Sequence, residues 1–171
     1  KVLDTDKGGK EIYKDFGEML FTHFGVSGPM VLSASAHMRD MKSGRYKIVI
    51  DLKPALTPEQ LDARILRDFS ENTNRNFINA LNSLLPKKLV PVIVSLSGIS
   101  PSEKVNQVTK EQRRRLAELL KGLTVTVKGS FDAKNYNHLA RTKTPPQYMA
   151  SGRDEFGDLI LQQKVIGADN L

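Results

Sequence analysis

Apolar positions follow two different periods along the chain, and the change of period marks its organisation. The first 53 residues read as strand and turn. Asp6-Lys7-Gly8-Gly9 is a turn signal between Lys1–Thr5 and Glu11–Phe16, so these two runs are expected to form a hairpin. Tyr46–Leu52 (YKIVIDL) alternates about Ile48 and Ile50 and is rich in β-branched residues, which suits a half-buried pleated surface. Pro54 stops it.

From Leu56 the period becomes helical. Thr57-Pro58-Glu59-Gln60 sets a capping hydroxyl, a proline in the first turn and a glutamine at the third helical position, the sequence form of a capping box. Leu56 and Leu61 stand where a hydrophobic staple would hold them, and Leu61, Ile65 and Phe69 mark one face. Asn72–Asn76 is polar and is expected to break the helix. Phe77, Ile78, Leu81 and Leu85 resume it, and Pro86 begins another segment. Val90–Leu96 fits either a buried strand or a helix; the flanking helices and Gly98 as a C-terminal cap favour the helix. Ser100-Pro101-Ser102-Glu103 and Thr109-Lys110-Glu111-Gln112 repeat the capping pattern. Leu116, Leu119, Leu120 and Leu123 share one side, Lys121-Gly122 ends the helix, and Leu123–Lys128 (LTVTVK) returns to strand alternation.

The order strands, helices, strand predicts an α+β chain. A β-rich, barrel-like unit takes residues 1–56 and 123–128, and an inserted helical unit takes 57–122. The tail, 129–171, has a different texture and no assigned affiliation. RTKTPPQYMASGRDEFGD is turn-rich and polar, and only Leu159–Ile166 reads as regular.

Composition narrows the classes. No apolar run approaches the ~18 residues needed to span a bilayer, and the start has no signal-peptide pattern. Zero cysteines exclude disulfides and thiolate metal sites, which fits a reducing cytoplasm, the expected location. A start at Lys1 reads as an excised piece of a longer protein. The formal charge of +7 raises an anionic partner. Val94–Val105 (VSLSGISPSEKV) resembles a helix-hairpin-helix that offers amides to a nucleic-acid phosphate, with Ser100 at the second hairpin glycine. A basic nucleic-acid-binding module is therefore the alternative reading, although Arg113-Arg114-Arg115 with Lys110 and Lys121 reads as the wet face of an amphipathic helix. No Gly-x-Gly pair exists, so there is no dinucleotide fingerprint or Walker loop. His23, His37 and His138 lack a second histidine at metal-ligand spacing, and no metal site is expected.

The stretch Gly17–Ser35 (GEMLFTHFGVSGPMVLSAS) concentrates the candidate chemistry. Ser27 is the expected N-cap of a short helix over Met30–Met38, with Pro29 in its first turn. The free N–H groups of the helical turn that Ser27, Gly28 and Pro29 open would then face an anionic group, though a purely structural cap is the plainer reading. His23, between Phe21 and Phe24, reads as a core histidine bonded to a carbonyl, and Glu18 as a solvated carboxylate.

Gly17–Pro29 (GEMLFTHFGVSGP) closely resembles a signature of the bacterial NAD(P)/FAD-dependent oxidoreductase family that includes aminoacetone oxidase and a bile-acid 7-dehydroxylation flavoprotein. IDLKPALTPEQL, the helical block and LLKGLTVTVKG follow in a similar order. The resemblance covers Lys1 to Gly129. It implies an insert domain that interrupts an FAD-binding domain of the same protein. FAD, with NAD(P)H as a possible second cofactor, then belongs to the parent and not to this chain, whose partners are that domain and a small-molecule substrate. Ser27, Gly28 and Pro29 are the implied cofactor-side contacts, and His23 and Phe24 the implied cavity lining. The family's FAD-binding glycines and its Gly-Gly-Val return are not matched in this chain.

Overall fold

Two glycines close the first hairpin. Gly8 and Gly9 take φ of 66° and 78°, a region without steric cost only when no Cβ is present. They join β1 (Val2–Asp4), through a 3-10 turn at Thr5–Lys7, to β2 (Lys10–Tyr13) in antiparallel register, with Asp4 opposite Lys10. The computed structural model describes residues 1–22, 25–129, 147–153 and 159–164. After β2 come β3 (Leu20–Thr22), β4 (Gly25–Ser27), α1 (Pro29–Ser35) and β5 (Tyr46–Ile50). The helices α2 (Pro58–Ser70), α3 (Phe77–Ala80), α4 (Val90–Ser97) and α5 (Lys110–Lys121) follow. The strands β6 (Leu123–Val127), β7 (Gln147–Arg153) and β8 (Leu159–Lys164) complete an α+β fold. The chain forms two compact units, Lys1–Val49 with Thr124–Leu171, and Ile50–Leu123.

In the first unit a six-stranded sheet runs in the order β2-β1-β5-β6-β8-β7. β1 is antiparallel to both neighbours, β6 and β8 are parallel, and β8 and β7 antiparallel. β7 corrects the turn-rich reading of that segment. Its ladder to β8, from Gln147 opposite Lys164 to Arg153 opposite Leu159, outweighs a composition with poor strand preference. The core here is Val2, Ala34, Met38 and Tyr46, with Ile12, Ile48 and Val127 packed against it.

Asp4 is buried beside that core and forked by Arg45, whose Nε and Nη2 donate to its two carboxylate oxygens at 3.2 and 3.1 Å. Arg45 also reaches Asp40 and Asp6 and lies over the Tyr46 ring. The Arg45 hydrogen bonds hold the Asp4 carboxyl below its ordinary range, outweighing burial, which acts the other way. A depressed carboxylate stabilises the fold above its unfolded pKa, near 4, and that stabilisation is lost as pH falls through the folded value. Acid titration of the melting temperature should therefore show a steep drop below about pH 4. Asp4→Asn should flatten that drop and lower stability at neutral pH. An acid profile unchanged by Asp4→Asn would disprove the assignment.

In the second unit both predicted capping boxes form. Gln60 N donates to Thr57 Oγ1 and Thr57 N to Gln60 Oε1, and Thr109 and Gln112 repeat the exchange. Leu61, Ile65 and Phe69 point inward from α2, and Leu116, Ala117 and Leu120 from α5. Each large apolar side chain buried in this way contributes about 1.5–3 kcal/mol. α4 ends at Gly98 with φ of 71°. The third capping pattern, Ser100–Glu103, opens no α-helix; the Ser100 carbonyl accepts from Glu103 N and only a 3-10 turn, Val105–Gln107, follows. Two basic residues of the supposed wet face are structural instead. Arg113 forks Asp62 at 2.7 and 3.2 Å, tying α5 to α2. Lys121 Nζ grips Asp51 and the carbonyls of Lys53 and Leu56.

Candidate functional site

The signature segment folds as a hairpin leading into a short helix. β3 and β4 pair antiparallel, with Leu20 opposite Ser27 and Thr22 opposite Gly25. Ser27 is therefore committed to a strand. The N-cap of α1 is Gly28, at φ 110° and ψ 171°, and no side chain caps the helix. This corrects the expectation that Ser27 caps a helix over Met30–Met38. The Gly28 carbonyl accepts from Val31 and Leu32, and Pro29, at the first helical position, has no N–H to offer. His23 and Phe24 lie outside the described residues.

Gly28 is packed against backbone. A Cβ built there meets Met19 Cα at 3.2 Å, the Glu18 carbonyl at 3.3 Å and Leu20 N at 3.4 Å. The segment before the hairpin thus lies directly over the start of α1, and Met30 reaches back to Gly17. Several large apolar side chains here face water: Phe16 is 81% exposed, Leu32 69%, Leu20 63% and Phe21 48%. An exposed set of large apolar side chains is the informative departure from ordinary surfaces. Runs such as Met19-Leu20-Phe21 signal burial when read as sequence, so this exposure is visible only in the fold.

Beside it stands a polar cluster that sequence reasoning misses. Tyr13 Oη donates to Asp15 Oδ2 at 2.7 Å, and Phe16 N donates to Asp15 Oδ1 at 2.8 Å. These bonds hold the Asp15 carboxyl below its ordinary range, and the Asp15 bond raises the Tyr13 phenol above its own. The His37 ring packs on Tyr13, with centroids 4.6 Å apart, and its Nδ1 lies 3.0 Å from the Ser33 carbonyl. Because a carbonyl only accepts, Nδ1 is the donor of that bond. His37 is one of only three histidines, but nothing in its spacing joins it to Tyr13 or Asp15 before folding.

In the helical unit, the loop before α3 is bonded to the loop after α4. Val105 N donates to the Arg75 carbonyl at 3.1 Å, Phe77 N to that of Glu103 at 2.8 Å and Ile78 N to that of Pro101 at 3.2 Å. Lys104 Nζ donates to the Asn74 carbonyl at 2.9 Å and to Asn76 Oδ1 at 2.8 Å. The hairpin-like turn at Gly98–Pro101 is one half of this double loop. Among the described residues no cluster of metal-ligating side chains occurs and no helix is long and apolar enough to cross a membrane.

Residues 2–135 match the family described as HI0933-like protein barrel and H2TH domain. The chain is also similar to the ribosomal RNA dihydrouridine synthase of Haemophilus influenzae, with 30% identity over 129 residues, 75% of this chain and 29% of that protein. It thus spans less than a third of that relative's length.

Proposed function

This chain belongs to the HI0933-like family of barrel and H2TH domains, and from that premise we propose that it is the insert domain of a flavin-dependent oxidoreductase. The family is associated with flavoproteins. In this reading the chain stands beside the FAD-carrying part of its parent and shapes access of the substrate. The observation that carries it is the exposed apolar set Phe16, Leu20, Phe21 and Leu32 on the signature segment. Such a surface has a physical reason to exist if another domain covers it.

FAD itself belongs, in this reading, to the adjoining domain. The lack of a Gly-x-Gly pair in the sequence and the proline that opens α1 support this assignment. The bound flavin would supply two-electron chemistry in the parent, with NAD(P)H as the reductant. The part of this chain is to wall the cavity and exclude water, and to present the Tyr13–Asp15–His37 cluster at its rim. The relative's name describes an enzyme that makes dihydrouridine in ribosomal RNA. That name, with the charge of the helical unit, favours RNA over a free small molecule as the parent's substrate.

Leu20→Ser combined with Leu32→Ser tests the docking in the intact parent. Each buried leucine is worth about 1.5–3 kcal/mol, so bound flavin and turnover should fall roughly tenfold or more. The melting temperature of the 171-residue chain should not fall, because both side chains are already exposed there. Unchanged flavin content and turnover in the parent would refute the docking. Micromolar FAD binding by the 171-residue chain alone would refute the assignment of FAD to its neighbour.

A further inference from the structure

We propose that the helical unit is a docking surface for the sugar-phosphate backbone of RNA, formed by the loops at the two ends of α4: Arg75 and Lys104 at one end, Lys87 and Lys88 at the other. The choice of RNA rests on the reading of the parent as an RNA-modifying enzyme. The surface rests on charge and geometry.

α2 and α5 neutralise most of their own cations. Arg64 pairs with Asp68 at 2.8 Å, Arg113 with Asp62 at 2.7 Å, Arg115 with Glu111 at 3.2 Å and Lys121 with Asp51 at 2.6 Å. Between Asn72 and Lys110 the balance is different: Arg75, Lys87, Lys88, Lys104 and Lys110 stand against Glu103 alone. Arg75, Lys87, Lys88 and Lys104 are all exposed, and none has a carboxylate partner among the described residues. Lys104 is bonded, but to neutral oxygens of Asn74 and Asn76, so its charge stays available to an anion. These loops therefore hold four exposed cations that no carboxylate of the described residues neutralises.

The Arg75 and Lys104 end is preorganised. The bonds Val105 to Arg75, Phe77 to Glu103 and Ile78 to Pro101 weld the turn after α4 to the turn before α3, so little ordering remains to oppose binding. The eight residues of α4 rise ~12 Å, which separates the two basic ends enough to meet different phosphates of one backbone. The aromatic residues of the helical unit, Phe69 and Phe77, are both buried, so no ring is offered for base stacking. Contacts from this surface are to phosphates, which set the register of a nucleic acid without reading its sequence.

Fluorescence anisotropy of a labelled RNA stem-loop with the 171-residue chain tests this across a salt series. Binding should weaken with salt, and each lost phosphate contact should remove about 0.7–0.9 from the log–log slope. The variant Arg75→Gln/Lys87→Gln/Lys88→Gln should lose about two to three from the slope and at least roughly tenfold in affinity at low salt. These three side chains are exposed and form no ion pair among the described residues, so the melting curve should be kept; Lys87→Gln alone should remove about one from the slope. The control Lys14→Gln/Arg67→Gln/Arg114→Gln removes the same charge elsewhere and should leave the slope near that of the unsubstituted chain. Equal weakening by both triple variants or no binding at low salt would overturn the surface, and equal competition by a DNA stem-loop of the same sequence would overturn the choice of RNA. None of these outcomes touches the flavin reading, which is judged by bound flavin in the parent.

Discussion

Gly28→Ala is expected to be the most damaging small substitution in the signature segment, costing about 2–4 kcal/mol. The backbone at φ 110° and ψ 171° lies in a region held essentially by glycine alone, where any other residue stores about 1–3 kcal/mol of strain. The added Cβ would also sit 3.2–3.4 Å from Met19 Cα, the Glu18 carbonyl and Leu20 N. All three are main-chain atoms, which cannot swing aside as a flexible side chain can. Gly25→Ala is the matched comparison, because Gly25 has φ of 138° with nothing within 4 Å; it should cost only the strain. Ser27→Ala removes no capping bond and should stay within about 0.5 kcal/mol. Urea unfolding of the three variants should rank them in that order. A Gly28→Ala loss no larger than that of Gly25→Ala would show that the close approach does not persist in solution. In the parent, the same substitution should displace the apolar segment and lower flavin retention, while Ser27→Ala should not.

Phe77→Ala should cost the helical unit about 3–5 kcal/mol, a large part of the ~5–15 kcal/mol available to an ordinary domain. Phe77 is fully buried and meets Phe69 edge-on, with ring centroids 6.2 Å apart. It also opens α3, and its N–H is the one that bonds the Glu103 carbonyl. Truncation therefore leaves a cavity beneath the bonded double loop. Phe77→Leu, which keeps most of the volume, should cost less than about 1.5 kcal/mol. Hydrogen exchange would show where the loss falls. Protection should drop across Ile50–Leu123 and hold in β1, β2 and β5. A loss below about 1 kcal/mol, or one spread evenly over the chain, would contradict this placement.

The candidate site is legible in the sequence in part. Gly17–Pro29 stands out in the sequence through its resemblance to a family signature, and it lies within the matched residues 2–135. Ser27 misleads for a definite reason. Its hydroxyl suits an N-cap, but pairing with Leu20 keeps its backbone in β4, so the turn into α1 falls one residue later, on Gly28. Ser100 misleads in the same way, because a serine followed by proline and glutamate satisfies a capping pattern whether or not a helix follows. The bond from Phe77 N to the Glu103 carbonyl holds that loop as a turn.

Determinants of short range were settled by the sequence alone. The Thr57 and Thr109 capping boxes, the stops at Asn72 and Gly98, the Gly8-Gly9 hairpin and the inward faces of α2 and α5 depend on residues within a turn or two of one another. Pairing across long separations was decided only by the tertiary structure. Arg113 and Arg114 are neighbours of like charge in the sequence, yet Arg113 is spent on Asp62, 51 positions away, while Arg114 is exposed. The same holds for the apolar residues: Leu61 and Leu32 look alike as letters, and one is sealed in a core while the other is 69% exposed. Periodicity reports which side of an element a residue occupies, and only the packed fold supplies what, if anything, lies against that side.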